Sequence, residues 1–577
     1  MDQSITSNQT KWLYVFIGAA IAVNFSGLFI ALINPDATLY ATIAKTMVQK
    51  HDYINLYAHG QDWLDKPHFP FWVTALFFNL FGFTTWAYKL PGILFLFMGA
   101  VYTYCFAKSL YNKQIALWSV LILLTAQHIV LSDNDVRAEP YLTGLIIAAV
   151  YHFYRAYGKK SFGHLLAGSI FTACAIMTKG MFAIIPIGGA IVGQFIITKQ
   201  WKQLFAWRWL IAIILTLVFI LPELYCLYKQ FDLHPEKVVF GQKGVSGIKF
   251  FFWDSQFGRF FNTGPIKGGG DPFFFVHTTL WAFLPWSVLL FTAIYQTIKK
   301  GVKNVQGQEW YCLSAGLLTF LLFSASHFQL PYYLNIVYPF FAIITAQYIY
   351  NVQLEKSIKA IRIVQLIVIA AMLLTVAALQ YFYLPQYMKW PEVLIVIVLY
   401  ITMVLLPDRI TTDTISRIVI TTVLATFIVN LYLNLAFYPS LLRYQAGSEA
   451  AIWLNKNNPN KYPIAQCGDN TPWAMQFYLN QPLVNLNYDG SGPQPAKTFI
   501  LYSNAHIIDS LTASGWHTQE IANLNRYWIS RLTPAFLNSR TRDKQLTRMK
   551  VVIVNPVVFT PVLHFGETTI SPQKPLK

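Results

Sequence analysis

Charged residues are scarce in this chain. They make up 12% of its 577 residues, whereas a soluble globular domain carries about a quarter. Hydrophobic residues make up 55%, and apolar segments of about 18–22 residues recur, long enough to cross a hydrocarbon core of about 30 Å. This composition excludes a soluble globular protein and indicates a polytopic α-helical membrane protein. Aromatic residues, at 16%, agree with this, because many Trp and Tyr stand beside the expected span ends.

Acidic residues are the scarcer kind of charge. The chain has 25 Asp and Glu against 43 Lys and Arg, which gives a formal net charge of +18. Such a surplus suits nucleic-acid binding, but in a polytopic membrane protein it arises more simply from the Lys and Arg of cytoplasmic loops. An anionic lipid substrate would add to the same surplus, and composition does not separate these two contributions. No nucleic-acid partner is expected.

Cysteines are few and scattered. Four of the five lie in or beside apolar segments and only Cys467 lies in the polar C-terminal part, which argues against a disulfide framework or a paired-cysteine metal site. Internal repeats and low-complexity tracts are lacking as well. The N-terminus has Lys11 and a long apolar run without an obvious small-residue cleavage site, so we expect a retained first span.

Apolar runs predict thirteen membrane spans. The predicted spans are 11–33, 87–107, 114–131, 138–154, 163–177, 181–197, 209–224, 273–297, 309–326, 331–349, 363–382, 392–406 and 418–437. With a cytoplasmic N-terminus, the inner loops collect most of the Lys and Arg, whereas the short outer loops hold only Arg137, Lys179 and Lys389. The positive-inside rule therefore supports these spans and their orientation. An odd number of spans places the C-terminus outside.

Two of the outer loops are long, 34–86 and 225–272. In the first of them, an apolar face repeats at i, i+4 spacing opposite Lys45, which predicts a helix lying in the plane of the membrane interface. A second helix is predicted from Pro67 to Gly82, because proline favours the first helical position and glycine favours the end.

The C-terminal part differs in character from the rest of the chain. Charges return after residue 437, and strand-like runs at 498–502 and 550–554 alternate with helix-like runs such as 449–455. We therefore predict a transmembrane domain over 1–437 and a small extracytoplasmic α/β domain over 438–577.

Asp36 follows the first apolar run directly, in the sequence Asn34-Pro35-Asp36. An aspartate before an amphipathic helix is a favoured N-cap, so one interpretation is purely structural. The other interpretation is chemical. A carboxylate at the membrane surface reaches lipid-borne and water-borne substrates, and it could take a proton from an acceptor hydroxyl or amine as a general base. The two roles are compatible, and Asp36 is the candidate catalytic residue.

Asp65-Lys66-Pro67 forms a second polar group in the same loop as Asp36. One interpretation is a solvated turn with proline at the first position of the following helix. The other is a lysine near the membrane surface that binds a phosphate as a point charge. Because Asp36 lies in the same loop, we take Asp65 and Lys66 as candidate substrate-binding residues.

A third polar cluster, at 132–139, lies between two predicted spans. It contains Asp133, Asp135 and Arg137, and charges so close to the bilayer are costly and often functional. A solvated turn is the alternative interpretation. The two carboxylates could also share a divalent cation, although i, i+2 spacing is by itself a weak signal.

Three further outer segments carry candidate binding residues. Lys179 stands in a turn between short spans, where a lysine more often extends to the interface than binds a ligand. Arg259 lies among aromatics, in a loop whose glycines permit ordering when substrate binds. His327 lies in a tight turn before Tyr332 and Tyr333, and for this histidine we favour a structural hydrogen bond over catalysis.

These polar clusters share one property. All of them fall on the outer side of the predicted topology, which rests on other residues, namely the apolar spans and the Lys and Arg of the inner loops. Polar turns without a common function would be distributed over both sides. The pattern therefore predicts one outward-facing site at the membrane surface.

The arrangement of these residues resembles the polyprenyl-phosphate-dependent glycosyltransferases of the C-type fold. That group includes protein O-mannosyltransferases and the lipid A aminoarabinose transferase, and the resemblance covers roughly residues 15–350. The residues that carry it are Asp36, Tyr40, Asp65-Lys66-Pro67, Trp72, Asp135, Thr178-Lys179-Gly180, Arg259, Leu284-Pro285-Trp286 and Pro331-Tyr332-Tyr333. Thirteen spans with an outer C-terminal domain also look like the bacterial lipid A enzyme.

The resemblance implies a reaction and a role for several residues. A sugar would move from a polyprenyl phosphate to a lipid, glycan or protein acceptor, on the outer face of the bacterial inner membrane. Asp36 matches the family's catalytic aspartate, which activates the acceptor for inverting attack at the anomeric carbon. Lys66, Lys179 and Arg259 would hold the phosphate leaving group. No nucleotide is implied, in agreement with the lack of a glycine-rich phosphate loop.

The chain departs from the family pattern at several positions. Ala37 follows Asp36 where the family has a second acid, which weakens the expectation of protein O-mannosylation. Asp65 replaces the usual Glu, and His327 stands near the position of a frequent Lys. Residues 269–271 replace the family's histidine, so the metal site of the lipid A enzyme is not implied here, and a divalent cation stays an open alternative.

Two other functions would use similar outer basic residues. A transporter or flippase for polyprenyl-linked glycans should show ionisable residues near mid-span, often in internal repeats, and the predicted spans have almost none. A ligase or polymerase for lipid-linked glycans would share the fold, but its chemistry should lie in a later and larger outer loop.

Overall fold

The computed structural model describes residues 7–58, 60–306, 308–385, 389–469, 472–486, 497–513 and 516–555. All candidate site residues lie within these ranges. The last part of the predicted C-terminal domain, 556–577, lies outside the described residues.

Every predicted span contains at least one helix. The α-helices up to residue 260 are Ser7–Phe25, Asp36–Lys50, Phe69–Phe81, Thr85–Leu110, Lys113–Thr125, Gln127–Asn134, Glu139–Lys159, Phe162–Lys179, Ile184–Ile197, Trp201–Leu204, Arg208–Phe219, Leu221–Leu227, Gly247–Lys249 and Phe257–Phe260. Those that follow are Phe274–Ala282, Ser287–Lys303, Tyr311–Ala325, Tyr338–Tyr350, Glu355–Ala378, Trp390–Ile410, Thr414–Tyr432, Tyr438–Leu441, Ala446–Asn457, Trp473–Tyr478, Ala505–Ala513 and Pro534–Leu537.

Several helices are extended or linked by other helical turns. The 3-10 segments are Met181–Ala183, Pro331–Val337, Leu442–Tyr444 and Arg542–Gln545, and the π-helical segments are Tyr228–Asp232, Phe250–Asp254, Leu379–Tyr383 and Leu433–Phe437. Within the described residues, six helices are long and apolar enough to cross a membrane, or seven if the bent pair Lys113–Thr125 and Gln127–Asn134 is one span. The helical membrane protein is confirmed, while the count of thirteen stays a prediction.

The first helix is shorter than the first predicted span. It ends at Phe25, and the chain then turns instead of continuing as a helix to residue 33. The cause lies in the neighbouring helix: the buried Lys89 Nζ donates to the carbonyls of Gly27 at 3.0 Å and Ile30 at 2.7 Å. These charge-assisted bonds satisfy carbonyls that a continued helix would have used itself. The turn brings the chain to Asp36.

Both predicted helices of the first long loop are present, as Asp36–Lys50 and Phe69–Phe81. Lys45, which the spacing places opposite the apolar face of the first of these helices, is nevertheless buried. Its side chain is 7% exposed, and Nζ donates to the carbonyls of Phe477 and Leu479 at 2.7 Å each. Because these carbonyls end a short C-terminal helix, Lys45 joins the C-terminal part to the Asp36 helix.

Close packing of two helices fixes the segment that carries Asp135 and Arg137. A Cβ atom at Gly144 would lie 2.0 Å from the Phe95 carbonyl oxygen, so the helices Thr85–Leu110 and Glu139–Lys159 approach each other at a glycine. Small residues permit such close crossings in membrane helix bundles. The second helix begins at Glu139, directly after the segment that carries Asp135 and Arg137.

The C-terminal part forms a five-stranded sheet. Its order is Leu483–Leu486, Ile464–Cys467, Phe499–Asn504, Thr547–Asn555 and His517–Arg526, with the first three strands parallel and the other pairs antiparallel. The pairing aligns Ile464 with Ile500 and Leu501 with Val552. The strand-like runs predicted at 498–502 and 550–554 overlap the strands Phe499–Asn504 and Thr547–Asn555, and the helix-like run at 449–455 lies within the helix Ala446–Asn457. Two further two-stranded hairpins, Tyr57–Ala58 with Gln61–Asp62 and Val238–Val239 with Gln242–Lys243, lie in the long loops.

Candidate functional site

Asp36 is the first residue of its helix, and its carboxylate accepts a hydrogen bond from Arg137 Nη1. The N-cap position is held by Pro35, and no side-chain cap bond forms there. The capping interpretation of Asp36 is therefore wrong. Thr38 Oγ1 donates instead to the Pro35 carbonyl at 2.9 Å and to Asn34 Oδ1 at 2.7 Å, which holds the first turn. The Asp36 side chain stays 35% exposed, so a ligand can reach it.

Arg137 joins Asp36 to Asp135. Its Nε and Nη2 donate to Asp135 Oδ2 at 3.0 and 2.7 Å, and its guanidinium lies 4.1 Å from the centre of the Tyr332 ring. The Tyr332 hydroxyl donates to the same Asp135 oxygen at 2.6 Å. Asp135 is almost fully buried, which strengthens these charge-assisted bonds. Together the contacts hold Arg137 in one orientation above Asp36.

A second ion group lies in the Asp65 turn. The Asp65 carboxylate accepts hydrogen bonds from Lys66 Nζ and from Arg259 Nη2, residues far apart in sequence. One carboxylate thus holds two cations side by side. Arg259 Nε is buried, and it has no hydrogen-bond partner among the described residues. That donor is available to an anionic ligand.

Lys179 pairs with Glu139 and does not extend to the interface. Each side chain is 5% exposed, and Nζ donates to Glu139 Oε1. The same Nζ lies 4.0 Å from the centre of the Tyr333 ring, a favourable cation–π contact. Gly180 permits the chain to turn here, because its φ of +109° suits glycine and a Cβ atom would meet the Gln256 side chain at 2.2 Å.

Tyr40 lies between the two ion groups. It stands one turn after Asp36 on the same helix, and its ring contacts Trp63 and Phe71 edge-on at 6.2 and 5.7 Å. Burial, together with the nearby charges of Asp36 and Asp65, raises the pKa of the Tyr40 hydroxyl well above its usual value. The hydroxyl therefore stays protonated and can act as a hydrogen-bond donor.

The charges of the Asp65 group shift one another's pKa values. Burial opposes the charge on Asp65, but Lys66 and Arg259 outweigh it and lower the pKa of the carboxyl below its usual range. Burial opposes the charge on Arg259 too, yet the Asp65 carboxylate holds the pKa of the guanidinium above its usual value. Lys66 is different: burial dominates and lowers the pKa of its ammonium to about 8.

Two cavities adjoin the cations. The larger, of about 360 Å³, is mostly apolar and has Arg259 and Tyr333 in its wall, with aromatic side chains such as Phe260 and Phe323 around them. A smaller pocket is lined by Asp65, Lys66 and Lys179 among others. An elongated apolar group with an anionic end would match this pair, because the charge would lie beside the cations.

Two candidate residues have no hydrogen bond or ion pair with this cluster among the described residues. The Asp133 carboxylate is fully buried, and neither oxygen has a hydrogen-bond partner among the described residues. His327 is exposed, and its Nδ1 lies 3.0 Å from the Phe260 carbonyl oxygen. The histidine therefore joins two loops, in line with the structural role favoured from the sequence. The other ten candidates are brought together.

Sequence reasoning missed a buried pair behind Lys66. His68 and Glu223 are both fully buried; His68 Nδ1 lies 3.0 Å from Glu223 Oε1, and the His68 backbone N–H donates to Glu223 Oε2 at 2.9 Å. His68 Nε2 lies 2.8 Å from the Ile54 carbonyl. In the sequence, only the position of His68 close to Lys66 could have suggested this pair. Glu139 belongs to the polar cluster at 132–139, which the sequence did indicate. Its partner Lys179, 40 residues later, was not predicted.

A metal site finds limited support in the side chains. Within the ranges that the structure describes, no three His, Cys, Asp or Glu residues converge to hold a metal ion. Asp135 is engaged with Arg137, and neither oxygen of Asp133 has a hydrogen-bond partner among the described residues. A cation shared by the two carboxylates stays a prediction.

Comparisons of the sequence point to enzymes that use lipid-linked sugars. Residues 65–226 match the dolichyl-phosphate-mannose-protein mannosyltransferase family. An undecaprenyl phosphate-α-4-amino-4-deoxy-L-arabinose arabinosyl transferase of Edwardsiella ictaluri is 28% identical over 341 residues, 57% of each chain. An uncharacterized protein of Aquifex aeolicus is 25% identical over 352 residues, 60% of this chain and 65% of that one. The chain thus spans less than two thirds of the length of these curated relatives.

The structure resembles ArnT from Cupriavidus metallidurans. The form bound to undecaprenyl phosphate gives a TM-score of 0.72 at 17% identity, covering 95% of this chain and 99% of that one. The apo form gives 0.70 at 18% identity. The fold is therefore that of the C-type glycosyltransferases, a class of helical membrane proteins. The family match and the named relatives confirm the resemblance found in the sequence, which is to glycosyltransferases that include the lipid A aminoarabinose transferase.

Proposed function

We propose that this protein is a membrane glycosyltransferase that moves a sugar from a polyprenyl-phosphate donor to an acceptor, with a lipid acceptor favoured. One observation carries the proposal: an apolar cavity has Arg259 in its wall, and Arg259 is joined through Asp65 to Lys66 beside the Asp36 helix. A polyprenyl chain suits the cavity, and its phosphate suits the cations. The relatives, named as undecaprenyl-phosphate-dependent transferases, agree with this.

The leaving group explains why cations gather here. The donor is a phosphodiester with one negative charge, and breaking its bond to the sugar leaves a polyprenyl phosphate that gains a second. Lys66 and Arg259 are placed to stabilise this developing charge, and Lys179 can join them if Glu139 yields its ammonium. Such preorganised stabilisation costs little reorganisation at the moment of reaction.

Asp36 would complete the reaction at the acceptor. An acceptor oxygen or nitrogen forms a bond to the anomeric carbon while the bond from that carbon to the phosphate oxygen breaks. The acceptor's proton passes to the Asp36 carboxylate, and the electron pair leaves with the phosphate. Attack opposite the phosphate inverts the anomeric centre. Arg137, clamped by Asp135 and Tyr332, would orient the carboxylate.

The orientation of the protein in the membrane is part of the same proposal. Thirteen spans with a cytoplasmic N-terminus would put the site and the 438–577 domain on the periplasmic face of the bacterial inner membrane, with 1–437 as the transmembrane domain. The excess of Lys and Arg in the other loops supports this orientation. Tyr40, Tyr332 and Tyr333 would surround the substrates, and His327 would join two loops beside them.

Transfer is tested with purified protein in lipid nanodiscs. The donors are undecaprenyl phosphates that carry 4-amino-4-deoxy-arabinose, mannose or glucose, and the acceptors are lipid A, a glycan and a serine-rich peptide. We expect transfer from at least one donor, to lipid A, with release of undecaprenyl phosphate. Undecaprenyl phosphate that binds but never exchanges a sugar, and moves between leaflets instead, would contradict the enzyme and favour a flippase.

Alkaline pH should weaken donor capture through Lys66. The pKa of about 8 refers to the free protein, so the ammonium is present below that pH and lost above it. We expect kcat/KM for the donor to fall about tenfold per pH unit above pH 8, because it reports ionisations of the free enzyme. In Lys66→Arg the fall should disappear, since guanidinium stays charged. The same alkaline fall in both proteins would remove Lys66 from this role.

A further inference from the structure

A buried histidine–glutamate pair lies behind the turn that carries Lys66. His68 Nδ1 is 3.0 Å from Glu223 Oε1, and the His68 backbone N–H donates to Glu223 Oε2 at 2.9 Å. Both side chains are fully buried. Glu223 also lines the small pocket that contains Asp65 and Lys66. The proposed reaction uses neither member of the pair, although the pair lies directly behind a cation that the reaction needs.

The hydrogen bonds of His68 determine how many protons the pair holds. Its Nε2 lies 2.8 Å from the Ile54 carbonyl oxygen, and because a carbonyl only accepts, Nε2 carries a hydrogen. Facing lone pairs on Nδ1 and the Glu223 carboxylate would repel, so one further proton lies between them. The pair is therefore an imidazolium with a carboxylate, or an imidazole with a carboxylic acid. In either form it has no net charge, so it contributes geometry rather than charge to the Lys66 site.

The pair joins the two long outer loops, each of which supplies a cation to the site. His68 follows Lys66 by two residues in the first loop. Glu223 lies on the helix Leu221–Leu227, which leads into the second loop and towards Arg259. The Glu223 carboxylate holds the first loop by both the ring and the backbone of His68. This link therefore connects the supports of the two cations next to Lys66.

The second loop folds back onto the same helix. A Cβ atom at Gly247 would lie 2.9 Å from the Leu227 carbonyl oxygen, so the chain at 247 packs directly on the end of the helix. Phe251, a little farther along, lies in one buried apolar cluster with Leu64 of the first loop. The chain that leads to Arg259 is thus fixed relative to the first loop.

A second link joins the same loops at residues that precede the Lys66 turn. The fully buried Gln230 accepts from the Leu56 backbone N–H at 3.0 Å, and its Nε2 donates to the Leu56 carbonyl at 2.8 Å and to Asp62 Oδ1 at 2.9 Å. Lys237 Nζ donates to the same Asp62 oxygen at 3.0 Å. Because the bonds of Gln230 remain without Lys237, a Lys237 variant weakens the junction of the loops away from Lys66.

We propose that His68 and Glu223 are positioning residues that hold Lys66 beside Arg259 at the spacing that a donor phosphate requires, a role that rests on the proposed function. The length of the Glu223 side chain then matters, and its acidity does not. Glutamine has the same length: its amide oxygen accepts from the His68 backbone N–H, and its NH₂ donates to Nδ1. Aspartate keeps the acid but is one methylene shorter, so it would draw the turn out of place.

Glu223→Gln and Glu223→Asp therefore distinguish positioning from proton transfer. If Glu223 supplied a proton to the site, the aspartate variant would keep its function and the glutamine variant would lose it. Positioning predicts the reverse. His68→Asn shortens the same link from the other side, and it should fold because His68 is the N-cap of the Phe69–Phe81 helix, where asparagine is favoured.

The test measures the binding of undecaprenyl phosphate to the full chain in lipid nanodiscs as a function of pH. In Glu223→Asp and His68→Asn we expect the Kd at pH 7 to rise about tenfold, as when one hydrogen bond to a charged group is lost. The alkaline loss of binding should shift upward by about one pH unit, because water in the opened turn relieves the burial that lowers the pKa of Lys66. Glu223→Gln and the control Lys237→Met should match the wild type in both.

The shift in pH dependence separates positioning from a contribution to stability alone, which would lower the melting temperature without moving it. Wild-type Kd and pH dependence in the folded shortened variants would overturn the proposal. An equal loss in Glu223→Gln would overturn it too, because the carboxyl itself would then be needed, and so would an equal loss in Lys237→Met. Sugar transfer is measured in parallel. A wild type that binds undecaprenyl phosphate but transfers no sugar would overturn the proposed function, while the Kd values would still decide the role of the pair.

Discussion

Replacing Asp36 with asparagine should lower the turnover number about 10²–10⁴-fold, the usual contribution of a general base. Asparagine has nearly the same shape and can still accept a hydrogen bond from Arg137, but it cannot take the acceptor's proton. Arg137 also keeps both of its bonds to Asp135, so the site should stay folded. Transfer of a radiolabelled sugar under saturating donor and acceptor measures the loss.

Binding measurements complete this prediction. The affinity of Asp36→Asn for undecaprenyl phosphate should stay within about twofold of wild type, because Lys66 and Arg259 are untouched. Asp52→Asn is the matched control: it lies in the same loop, and its Oδ1 accepts from the backbone N–H groups of Ile54 and Asn55, a role that asparagine can fill, while only the bond from Asn55 Nδ2 to Oδ2 is lost. Full transfer activity in Asp36→Asn would remove the carboxylate from catalysis.

The sequence predicted the elements of the site because local patterns determine them. Apolar runs predicted the helices, proline and glycine predicted the Phe69–Phe81 helix to within two residues, and the strand-like run at 550–554 predicted the strand Thr547–Asn555. The prediction of a single site also rested on a sequence property, the positive-inside rule. Ten of the twelve candidates converge, so charge placement along the chain carried most of the information on the site.

The pairings within the site could not be predicted. Lys179 and Glu139 are 40 residues apart, Arg259 and Asp65 are 194 apart, and Lys45 meets carbonyls more than 430 residues away. Such contacts depend on helix packing, which periodicity does not encode. The same cause explains two further differences from the structure. The spacing placed Lys45 opposite the apolar face, and Asp36 was interpreted as an N-cap, because their true partners are distant in sequence.

The site as a whole is electrically compensated. Its four cations, Lys66, Arg137, Lys179 and Arg259, each contact a carboxylate in the absence of ligand. An unpaired buried charge would be costly, so these carboxylates keep the cations in place before substrate arrives. Under the proposed function, a donor phosphate would compete with Asp65 or Glu139 for these cations. The donor phosphodiester, with one negative charge, would be held weakly, and the leaving phosphate, with two, would be stabilised more by the same cations.

The pair Lys179–Glu139 makes this competition measurable. Removing one partner of a buried ion pair typically costs about 3–5 kcal/mol, whereas replacing both with apolar groups is often nearly neutral. Both side chains are 5% exposed. We therefore expect Lys179→Met and Glu139→Met each to lower the thermal stability of the purified protein strongly, and the double variant to recover most of the loss.

In the same variants, the donor KM should not follow the thermal stability. If Lys179 contacts the donor phosphate, the double variant regains its fold but keeps a raised donor KM, since no ammonium remains. Glu139→Gln frees the ammonium without removing it, and should lower the donor KM in whatever fraction stays folded. Additive stability losses in the double variant would show that the two residues do not act as a pair. Wild-type donor KM in the stable double variant would leave Lys179 a structural partner of Glu139 and assign the phosphate to Lys66 and Arg259 alone.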